Sequence, residues 1–504
     1  MKSLQTSHYK NLLFMVTILL VLIMAARTPL DSDFFWHLRA GEWMVENRAP
    51  VLNDYFSNSV YGNPWVNHSW LAQVIFYLVF RFTGFTGIGL LTALLATAAM
   101  VFVFFTMQGN YFFRALLVIL ASTIASFVWS PRPQLFSLLL LGWLAYLLYI
   151  YKWKQKNHLW QLPVIFVLWA NLHGGYPLGL VLIAAYAAGE MANHLLGIQG
   201  ETVLPWRKIL QVMIWGILSI PVLWINPNGF QIYLIPFQTM GGEVLQRFIQ
   251  EWASPDFHDL SQQVFLLAIF LMVFLNGYSI KRMDMTDMLI FIGFAYMALV
   301  ARRNYGPFAI AAVPVLSRQL EPTWNQWIKN IKETEAIKKI NYFFEGQEGL
   351  SKPLPGNLGN LINILIILLL LFVFTVKLIW TSGKEMIEQT TQNNYPLAAV
   401  EWLKQNKPEG ILLNEYNSGG YLVWALREYP VFVDGRTDMY GDQILKDWVT
   451  LVQVEKGWQT LLEKYHIGIV MVEPDRPIVE RLIENRWTKG YEDSLAVILL
   501  SPDE

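Results

Sequence analysis

Long apolar runs separated by short polar connections dominate this chain. A helix that crosses a bilayer needs about 20 apolar residues, with a range of roughly 17–25. Apolar runs near this length lie at 11–27, 86–106, 112–129, 134–151, 159–172, 177–196, 209–225, 263–279, 286–301, 305–318 and 358–380. The pattern therefore predicts an α-helical polytopic membrane protein with about 11 transmembrane helices. Two of the runs, 159–172 and 305–318, are short enough for a broken or tilted helix.

One further apolar segment, 69–82, is too short for its length to decide whether it crosses the bilayer or lies in the interface. Cytoplasmic loops of membrane proteins carry an excess of Lys and Arg. If the N-terminus is cytoplasmic and 69–82 does not cross, the lysine cluster at 152–156 lies inside. The outer loops before residue 381 then contain arginine and no lysine. We therefore expect 69–82 to lie on the outer surface.

The same pattern divides the chain into four parts. They are a transmembrane module at 1–318 with outer-face loops at 28–85 and 226–262, a cytoplasmic loop at 319–357, a last transmembrane helix at 358–380 and an extracytoplasmic C-terminal domain at 381–504. In the C-terminal domain, helical stretches alternate with strand-type apolar runs at 410–414, 429–434, 467–473 and 494–501. This alternation predicts an α/β domain. We expect the whole chain in a bacterial plasma membrane.

Composition narrows the class further. The chain is 54% apolar and only 15% charged, with a mean hydropathy of +0.36, which argues against a soluble enzyme and against a disordered chain. A net charge of −1 excludes a generally basic nucleic-acid binder. The absence of cysteine excludes disulfides, thiolate catalysis and Cys-ligated metal sites. The 21 Trp and 22 Tyr fit aromatic belts at a membrane interface.

The predicted topology collects the unusual polar residues on the outer face. Asp31 and Asp33 come at the end of the first crossing, and His37 follows one helical turn later. The other polar side chains that this topology places there are His68, Arg132, Asn171, His173, Glu251, Arg302 and Arg303. Ionisable groups at a membrane boundary are costly, so their default interpretation is functional. Simpler interpretations stay open: the carboxylates could end a helix in water, a histidine could pack in a turn, and the paired arginines could reach lipid headgroups.

This set of side chains suits the transfer of a sugar from a lipid-linked donor. A carboxylate at the outer surface can act as general base toward an acceptor hydroxyl. Arginine binds phosphate through two parallel hydrogen bonds, which lysine cannot do. We therefore expect a glycosyltransferase at the outer face that takes its sugar from a polyprenyl-phosphate-linked donor. The acceptor would be a hydroxyl of a glycan, lipid or protein, and membrane lipid would surround the enzyme.

The order of these motifs resembles that of the GT-C class of integral-membrane glycosyltransferases. In that class an acidic motif follows the first crossing, interface helices lie in the first outer loop, and a second large outer loop follows the seventh crossing. Here Asp31-Ser32-Asp33, the segments 34–47 and 69–82, and the loop 226–262 occupy those places. The stretches DSDFFWHLRAGEWMVENRAPVLNDYFSNSVYGNPWVNHSWL, NLHGG and NSGGYLVWAL…VFVDGRTDMY are also similar to uncharacterised bacterial GT-C-like membrane proteins.

The resemblance implies a functional role for the acidic motif alone. We expect Asp33 to be the general base and Asp31 its partner or a substrate-binding group, while the reverse assignment stays open. Binding of the donor phosphate or of another part of the substrate is inferred from position for the remaining polar residues of the outer face: His37, His68, Arg132, Asn171, His173, Glu251, Arg302 and Arg303.

Two features depart from parts of the class. The chain has no WWDYG-type motif, although Glu251 and Asp256 fall in the corresponding loop, and this puts protein N-glycosylation in doubt. Many members of the class work without metal, so we expect no required cofactor. A divalent metal stays open, because Asp31, Asp33 and His37 could supply oxygen and nitrogen ligands.

Two motifs of the C-terminal domain follow predicted strands, where open α/β sheets form ligand crevices. They are Asn417-Ser418-Gly419-Gly420-Tyr421 and Asp434-Gly435-Arg436-Thr437-Asp438-Met439-Tyr440. We expect them to bind the acceptor glycan or to cover the membrane site. The alternatives are that the glycine pair permits a tight turn and that the Asp–Arg pair is a structural ion pair.

Other functions compete with simple glycosyl transfer. A polymerase or ligase of lipid-linked glycans would also use outer Arg and His residues. A transporter or an assembly scaffold would be non-enzymatic, but a transporter should contain inverted repeats, and the sequence contains no matching halves.

The topology can be checked with a reporter fused after Lys156. We expect a cytoplasmic signal, because the lysines at 152–156 fall in an inner loop when 69–82 does not cross. Alkaline phosphatase, active only outside, and green fluorescent protein, fluorescent inside, give opposite readouts at this position. An external signal would separate the polar residues of the outer face and remove the argument for a common site.

Overall fold

The computed structural model describes residues 2–198, 202–240, 251–279, 282–330 and 356–502. Up to residue 330 these residues are almost entirely helical. The helices are α1 (Lys2–Ala25), α2 (Phe34–Asn47), α3 (Trp70–Thr106), α4 (Tyr111–Ala125), α5 (Gln134–Trp153), α6 (Gln161–Leu172), α7 (Pro177–Leu195), α8 (Trp206–Leu218), α9 (Ile235–Met240), α10 (Gln263–Tyr278), α11 (Met285–Val300), α12 (Tyr305–Ala311) and α13 (Val313–Asn330).

Several of these helices are long and apolar enough to cross a membrane, so the chain is a multi-pass membrane protein. In the described part of the chain they are Trp70–Thr106, Tyr111–Val128, Gln134–Trp153, Pro177–Leu195, Trp206–Trp224 and Leu358–Ser382. Shorter apolar helices lie at Lys10–Ala25, Gln161–Leu172, Gln263–Tyr278 and Met285–Val300. The number of crossings, about eleven, stays a prediction. Parts of the expected loops, 241–250 and 331–355, lie outside the described residues.

One predicted crossing does not form as a single helix. The segment 305–318 divides between α12 and α13, with Ala312 between them. Pro314 follows this break by two residues, and a proline has no backbone N–H to bond the carbonyl of Ile310, four residues before it. All seven residues of α12 are buried. The segment therefore forms a broken helix, one of the two possibilities that its short length left open, and whether it crosses the membrane stays a prediction.

The segment 69–82 forms the first part of α3. Gly84 interrupts α3 with φ +60°, so a first helical part ends there and a second part continues to Thr106. The first part packs closely on α2, because a Cβ added at Gly41 would overlap the carbonyl of Gln73. Glycine is needed at both places, at one for its positive φ and at the other for the close helix approach.

A buried ion-pair network joins α5, α7 and α11. The Lys152 ammonium donates to Glu190 and, at 2.7 Å, to Asp284. Nearby, Arg318 donates to Asp287 at 2.7 Å. Lys152 belongs to the lysine cluster that was expected inside, and both Lys152 and Arg318 are buried. Each of these charges has a partner on another helix, so loss of one partner would leave a buried charge unpaired.

The C-terminal part combines helices with a four-stranded sheet. Its helices are α14 (Gly356–Ser382), α15 (Lys384–Asn394), α16 (Leu397–Asn406), α17 (Tyr416–Ala425), α18 (Thr437–Val452), α19 (Trp458–Lys464) and α20 (Pro477–Glu484), and its strands are β1 (Ile411–Asn414), β2 (Ile467–Val472), β3 (Thr488–Glu492) and β4 (Val497–Leu500). The order in the sheet is β1-β2-β4-β3, with β1 and β2 parallel and the other pairs antiparallel. The apolar run at 429–434 was expected to be a strand and is not one.

The segment 429–434 instead joins the C-terminal part to the first loop (26–69). Val431 pairs with Ser57 in an isolated bridge. The Asn414 side chain accepts the Phe432 N–H at 2.6 Å and donates to the Val433 carbonyl at 2.8 Å. The backbone N–H and carbonyl groups of this segment are therefore already hydrogen-bonded to the Asn414 side chain and to the first loop. For this reason the segment does not pair with the strands of the sheet.

Arg436 forms a buried ion-pair cluster at this junction. Its guanidinium donates to both Asp434 oxygens and, at 2.6 Å, to Asp54 of the first loop. The Tyr440 hydroxyl donates to Asp434 at 2.9 Å. The guanidinium also lies against three aromatic rings, those of Phe56, Trp65 and Tyr440. The Asp–Arg pair therefore connects the C-terminal part to the first loop, and both charges and rings are shielded from water.

Replacing Arg436 should destabilise this junction. In Arg436→Met, Asp54 and Asp434 would stay buried without their counter-charge, a loss that typically costs about 3–5 kcal/mol. Thermal unfolding of the detergent-purified protein measures the effect. Arg481→Ala is the matched control, because its ion pair with Glu484 is half exposed and worth at most about 1 kcal/mol. Equal unfolding temperatures for the two variants would contradict a structural role for the cluster.

Candidate active site

A cavity of about 600 Å³ lies between the helical module and the C-terminal part. The module contributes its floor, and the C-terminal part contributes its roof. The floor residues include Asp33, His37, His68, Arg132, His173, Glu251, Trp252 and Arg303. The roof residues include Glu415, Tyr416, Asn417, Asp438, Trp448 and Arg476. Residues that are hundreds of positions apart therefore share one chamber.

The acidic motif is held at the floor by a turn of its own backbone. Asp31 accepts the Asp33 backbone N–H at 2.9 Å, and the Phe34 N–H bonds to the Asp31 carbonyl, so α2 begins directly after the motif. Asp33 lines the cavity and Asp31 lies behind it. The two carboxylates therefore differ in their access to a substrate.

Arg132 is surrounded by three carboxylates. Its guanidinium contacts Asp31, Asp33 at 3.0 Å and Glu251 at 2.7 Å. Burial opposes its charge, but the three carboxylates raise the pKa of Arg132 well above its ordinary value. Its hydrogen bonds hold the acidic motif in place, and binding of the donor phosphate or another part of the substrate by Arg132 stays a prediction.

Asp33 has the electrostatic properties of a general base. Burial raises its pKa to about 6, although the neighbouring Arg132 lowers it, and Asp31 and Glu251 add smaller raising effects. A carboxylate with this pKa is ionised at neutral pH and accepts a proton more readily than an ordinary aspartate. The roof lies directly against it, because a Cβ added at Gly435 would overlap the Asp33 Oδ1 atom.

Arg303 lies in the cavity in a different environment. It lies in the short turn Arg302–Asn304, and its guanidinium stacks over the Trp252 ring at 4.2 Å. The Arg303 N–H bonds to the Glu251 carbonyl, which fixes the segment after residue 250. Among the described residues, no carboxylate lies within 4 Å of the Arg303 guanidinium. Its charge is therefore less compensated than that of Arg132.

Three histidines line the same floor and are held neutral. Burial lowers the pKa of His37, His68 and His173 below the ordinary value, and for His37 and His173 the decrease is large. The charge of Arg303 adds to the decrease for His68 and His173. The His37 Nδ1 lies 3.3 Å from the Gln73 amide nitrogen. At neutral pH these rings are hydrogen-bonding groups rather than cations.

The roof residues were not predicted individually. Arg476 forms a bidentate pair with Glu415, both distances being 2.8 Å, and Trp448 donates to the Asn414 carbonyl at 3.0 Å. Apolar side chains of α18 continue this wall, namely Leu445, Val449 and Val452. Only the two glycine-containing motifs after the predicted strands indicated that this part of the chain would approach the site.

Two predicted site residues lie elsewhere. Asn171 accepts the Trp70 indole N–H at 2.8 Å and donates to the Ile225 carbonyl at 2.7 Å, so it ties α6 to neighbouring segments. Arg302 bonds through its backbone N–H to the Ala253 carbonyl. Neither lines the cavity. The other eight predicted residues come together. Seven of them line the cavity, and the eighth, Asp31, contacts the cavity residue Arg132.

A metal at the acidic motif was left open by the sequence. In the part of the chain that the structure describes, no group of three His, Asp or Glu side chains has a geometry that could hold a metal ion. Asp31 and Asp33 direct oxygens at Arg132, and the His37 Nδ1 faces Gln73. In this arrangement the oxygens of Asp31 and Asp33 are taken by the Arg132 guanidinium.

No protein-family model and no curated protein matches the chain. Solved structures do match it. The oligosaccharyltransferase from Archaeoglobus fulgidus, tethered with an acceptor peptide containing the NVT sequon, has a TM-score of 0.54 at 11% identity, with 91% of this chain and 69% of that chain covered. Its apo form has a TM-score of 0.52 with the same identity and coverage. ArnT from Cupriavidus metallidurans bound to undecaprenyl phosphate is 10% identical, with a TM-score of 0.47 over 96% of both chains.

The two oligosaccharyltransferase structures share the fold of this chain, so the expected resemblance to the GT-C glycosyltransferases holds at the level of the fold. At 11% identity they show a shared chain arrangement and nothing about individual residues. The chemistry of this chain must therefore be argued from its own cavity.

Proposed function

We propose that this protein is a glycosyltransferase that moves a sugar from a polyprenyl-phosphate-linked donor to a hydroxyl acceptor at the outer face of the membrane. The observation that carries the proposal is Asp33, a carboxylate with a raised pKa at the floor of a cavity that also contains arginine and neutral histidines. The shared GT-C fold supports the same reaction class.

In this reaction Asp33 accepts the proton of the acceptor hydroxyl. The hydroxyl oxygen attacks the anomeric carbon of the donor, the bond from that carbon to the phosphate oxygen breaks, and the phosphate leaves with the bonding electrons. The new glycosidic bond replaces the broken one. Asp31 and Arg132 position the base, since both of them contact Asp33. Asp31 itself does not line the cavity.

The donor phosphate fits best at Arg303. Arg132 is already compensated by three carboxylates, whereas the guanidinium of Arg303 is stacked on Trp252 and open to the cavity. A polyprenyl tail would extend from the phosphate into the bilayer. The acceptor would then enter under the roof, where the apolar side of α18 and the Glu415–Arg476 pair lie opposite Asp33.

Replacement of Asp33 tests the assignment of the base. In Asp33→Asn the side chain keeps its shape but cannot accept a proton, so we expect transfer to fall by about 10²–10⁴-fold. Asp31→Asn should cause a smaller loss, because its amide oxygen can still accept the Asp33 N–H. The assay measures release of polyprenyl phosphate from a panel of polyprenyl-phosphate sugars by the purified protein.

Glu480→Gln is the control, because it removes an exposed carboxylate of α20 outside the cavity wall. It should transfer at the wild-type rate. Full activity of a normally folded Asp33→Asn variant would show that Asp33 is not the base.

The pH dependence of transfer provides a second test. Because the ionised carboxylate is the base and its pKa is about 6, kcat/KM should rise with pH up to about 6 and level off above it. For an ordinary aspartate, the rise of kcat/KM with pH would be centred near pH 4. Measurement of kcat/KM for the wild-type enzyme between pH 4 and 8 distinguishes these two pKa values. A rise centred near pH 4 would mean that burial does not raise the pKa of the base.

A further inference from the structure

Trp36 lies one helical turn after Asp33, in the first turn of α2, and neighbouring rings fix its indole. The indole lies against the His37 ring with 3.6 Å between the ring centroids, and it meets the Trp65 ring edge to face at 6.0 Å. The side chain is buried, with 8% of its surface exposed, and it borders the cavity. The indole therefore has one defined orientation beside the acidic motif.

Both glycine motifs of the C-terminal part pack against the same edge of this indole. A Cβ added at Gly420 would lie 3.2 Å from the Trp36 Cδ1 atom, and one at Gly435 would lie 3.0 Å from the Trp36 Nε1 atom. The Cβ at Gly435 would also overlap the Asp33 Oδ1 atom. The Trp36 N–H and the Asp33 Oδ1 therefore lie against the same glycine of the roof, where a larger residue would not fit.

The Trp36 N–H is a buried donor without a hydrogen bond. In the part of the chain that the structure describes, its Nε1 atom has no partner with normal hydrogen-bond geometry. Buried donors of this kind are unfavourable and rare in native proteins, so each one calls for an explanation. The carboxylate beside it is close enough to respond: burial raises the pKa of Asp33, and the Trp36 N–H is among the groups that lower it.

The two oxygens of the Asp33 carboxylate have different neighbours. Arg132 contacts Oδ2 at 3.0 Å, whereas Oδ1 lies at Gly435, next to the Trp36 N–H. An ionised carboxylate accepts hydrogen bonds at both oxygens, and such bonds are stronger than those between neutral groups. Because rotation of a carboxylate about its Cβ–Cγ bond is soft, a small turn would align Oδ1 with a donor that has no other partner.

We propose that Trp36 is a positioning residue for the base: its indole N–H donates to Oδ1 of ionised Asp33 while Arg132 holds Oδ2. The inference rests on the proposed function and adds a residue to that reaction. Donors on both oxygens fix the plane of the carboxylate and leave a lone pair for the acceptor hydroxyl. The glycine motifs of the roof hold the indole in place, so they serve the base without contacting the substrate.

Other titratable and charged groups also face Asp33. They are Asp31, Arg132 and Glu251 of the cavity floor, and Tyr395 and Tyr416 of the C-terminal part. A replacement at position 36 that removes only the N–H leaves all of them in place. A change in the pKa of Asp33 then reports the loss of the indole donor.

Infrared titration of the detergent-purified full chain measures this pKa without any transfer step. The C=O band of protonated Asp33 is assigned by its loss in Asp33→Asn. In Trp36→Phe the ionised carboxylate loses a donor, so we expect the midpoint to lie about one pH unit above the wild-type value of about 6. In the transfer assay, the same shift should lower kcat/KM about 10-fold at pH 5 and change it by less than about 2-fold at pH 8.

Two further variants separate the N–H from the packing of the ring. Benzothienylalanine, incorporated at position 36, replaces the N–H by sulfur and keeps the shape of the ring, so it should reproduce the shift of Trp36→Phe. Trp43→Phe is the matched control, because Trp43 lies on the same helix, stacks on Tyr55 and lies outside the cavity wall. It should leave the midpoint unchanged. Thermal unfolding shows that each variant is folded.

An unchanged midpoint in the folded benzothienylalanine protein would overturn the role of Trp36, and so would an equal shift in Trp43→Phe. Failure of the proposed function looks different. In that case the wild-type protein transfers no lipid-linked sugar at any pH, while the midpoint of Asp33 still rises when the Trp36 N–H is removed.

Discussion

The buried cluster around Arg436 is the interaction on which the site depends. It joins Asp434 of the C-terminal part to Asp54 of the first loop with every charged side chain fully buried. The Arg436 cation lies between the two carboxylates. A tyrosine hydroxyl donates to Asp434, and two backbone N–H groups donate to Asp54, so these buried charges have hydrogen-bond partners without water. Since the cavity has its floor on one side of this junction and its roof on the other, the chamber exists only while the two are docked.

Glycines bring the two sides close enough to form one chamber. A Cβ at Gly420 would overlap the carbonyl of Ser32, and one at Gly435 would overlap Asp33 itself. The motifs that contain them are therefore shaped by the acidic motif of the helical module. This close cover removes water from Asp33, and the loss of solvation is the main reason why its pKa rises. Docking and acid–base chemistry are thus linked by the same contacts.

Charge compensation distinguishes the two arginines of the floor. Both lie in short turns between helices, and composition gives no reason to separate them. Arg132 is enclosed by carboxylates from two segments and serves to hold Asp33, while Arg303 stacks on an indole and keeps its charge available. In a cavity of low dielectric, an available charge and a compensated charge differ greatly in the ligands they attract.

The sequence by itself determined the helical membrane class, three of the C-terminal strands within 410–414, 467–473 and 494–501, and the segments that would supply the site. Hydrophobic period and length are local properties, and the acidic motif is recognised by its place after an apolar run. Only the tertiary structure decided that 429–434 joins a loop instead of the sheet and that Asn171 packs away from the cavity. It also decided which carboxylates meet Arg132, because that depends on distances between groups that lie far apart along the chain.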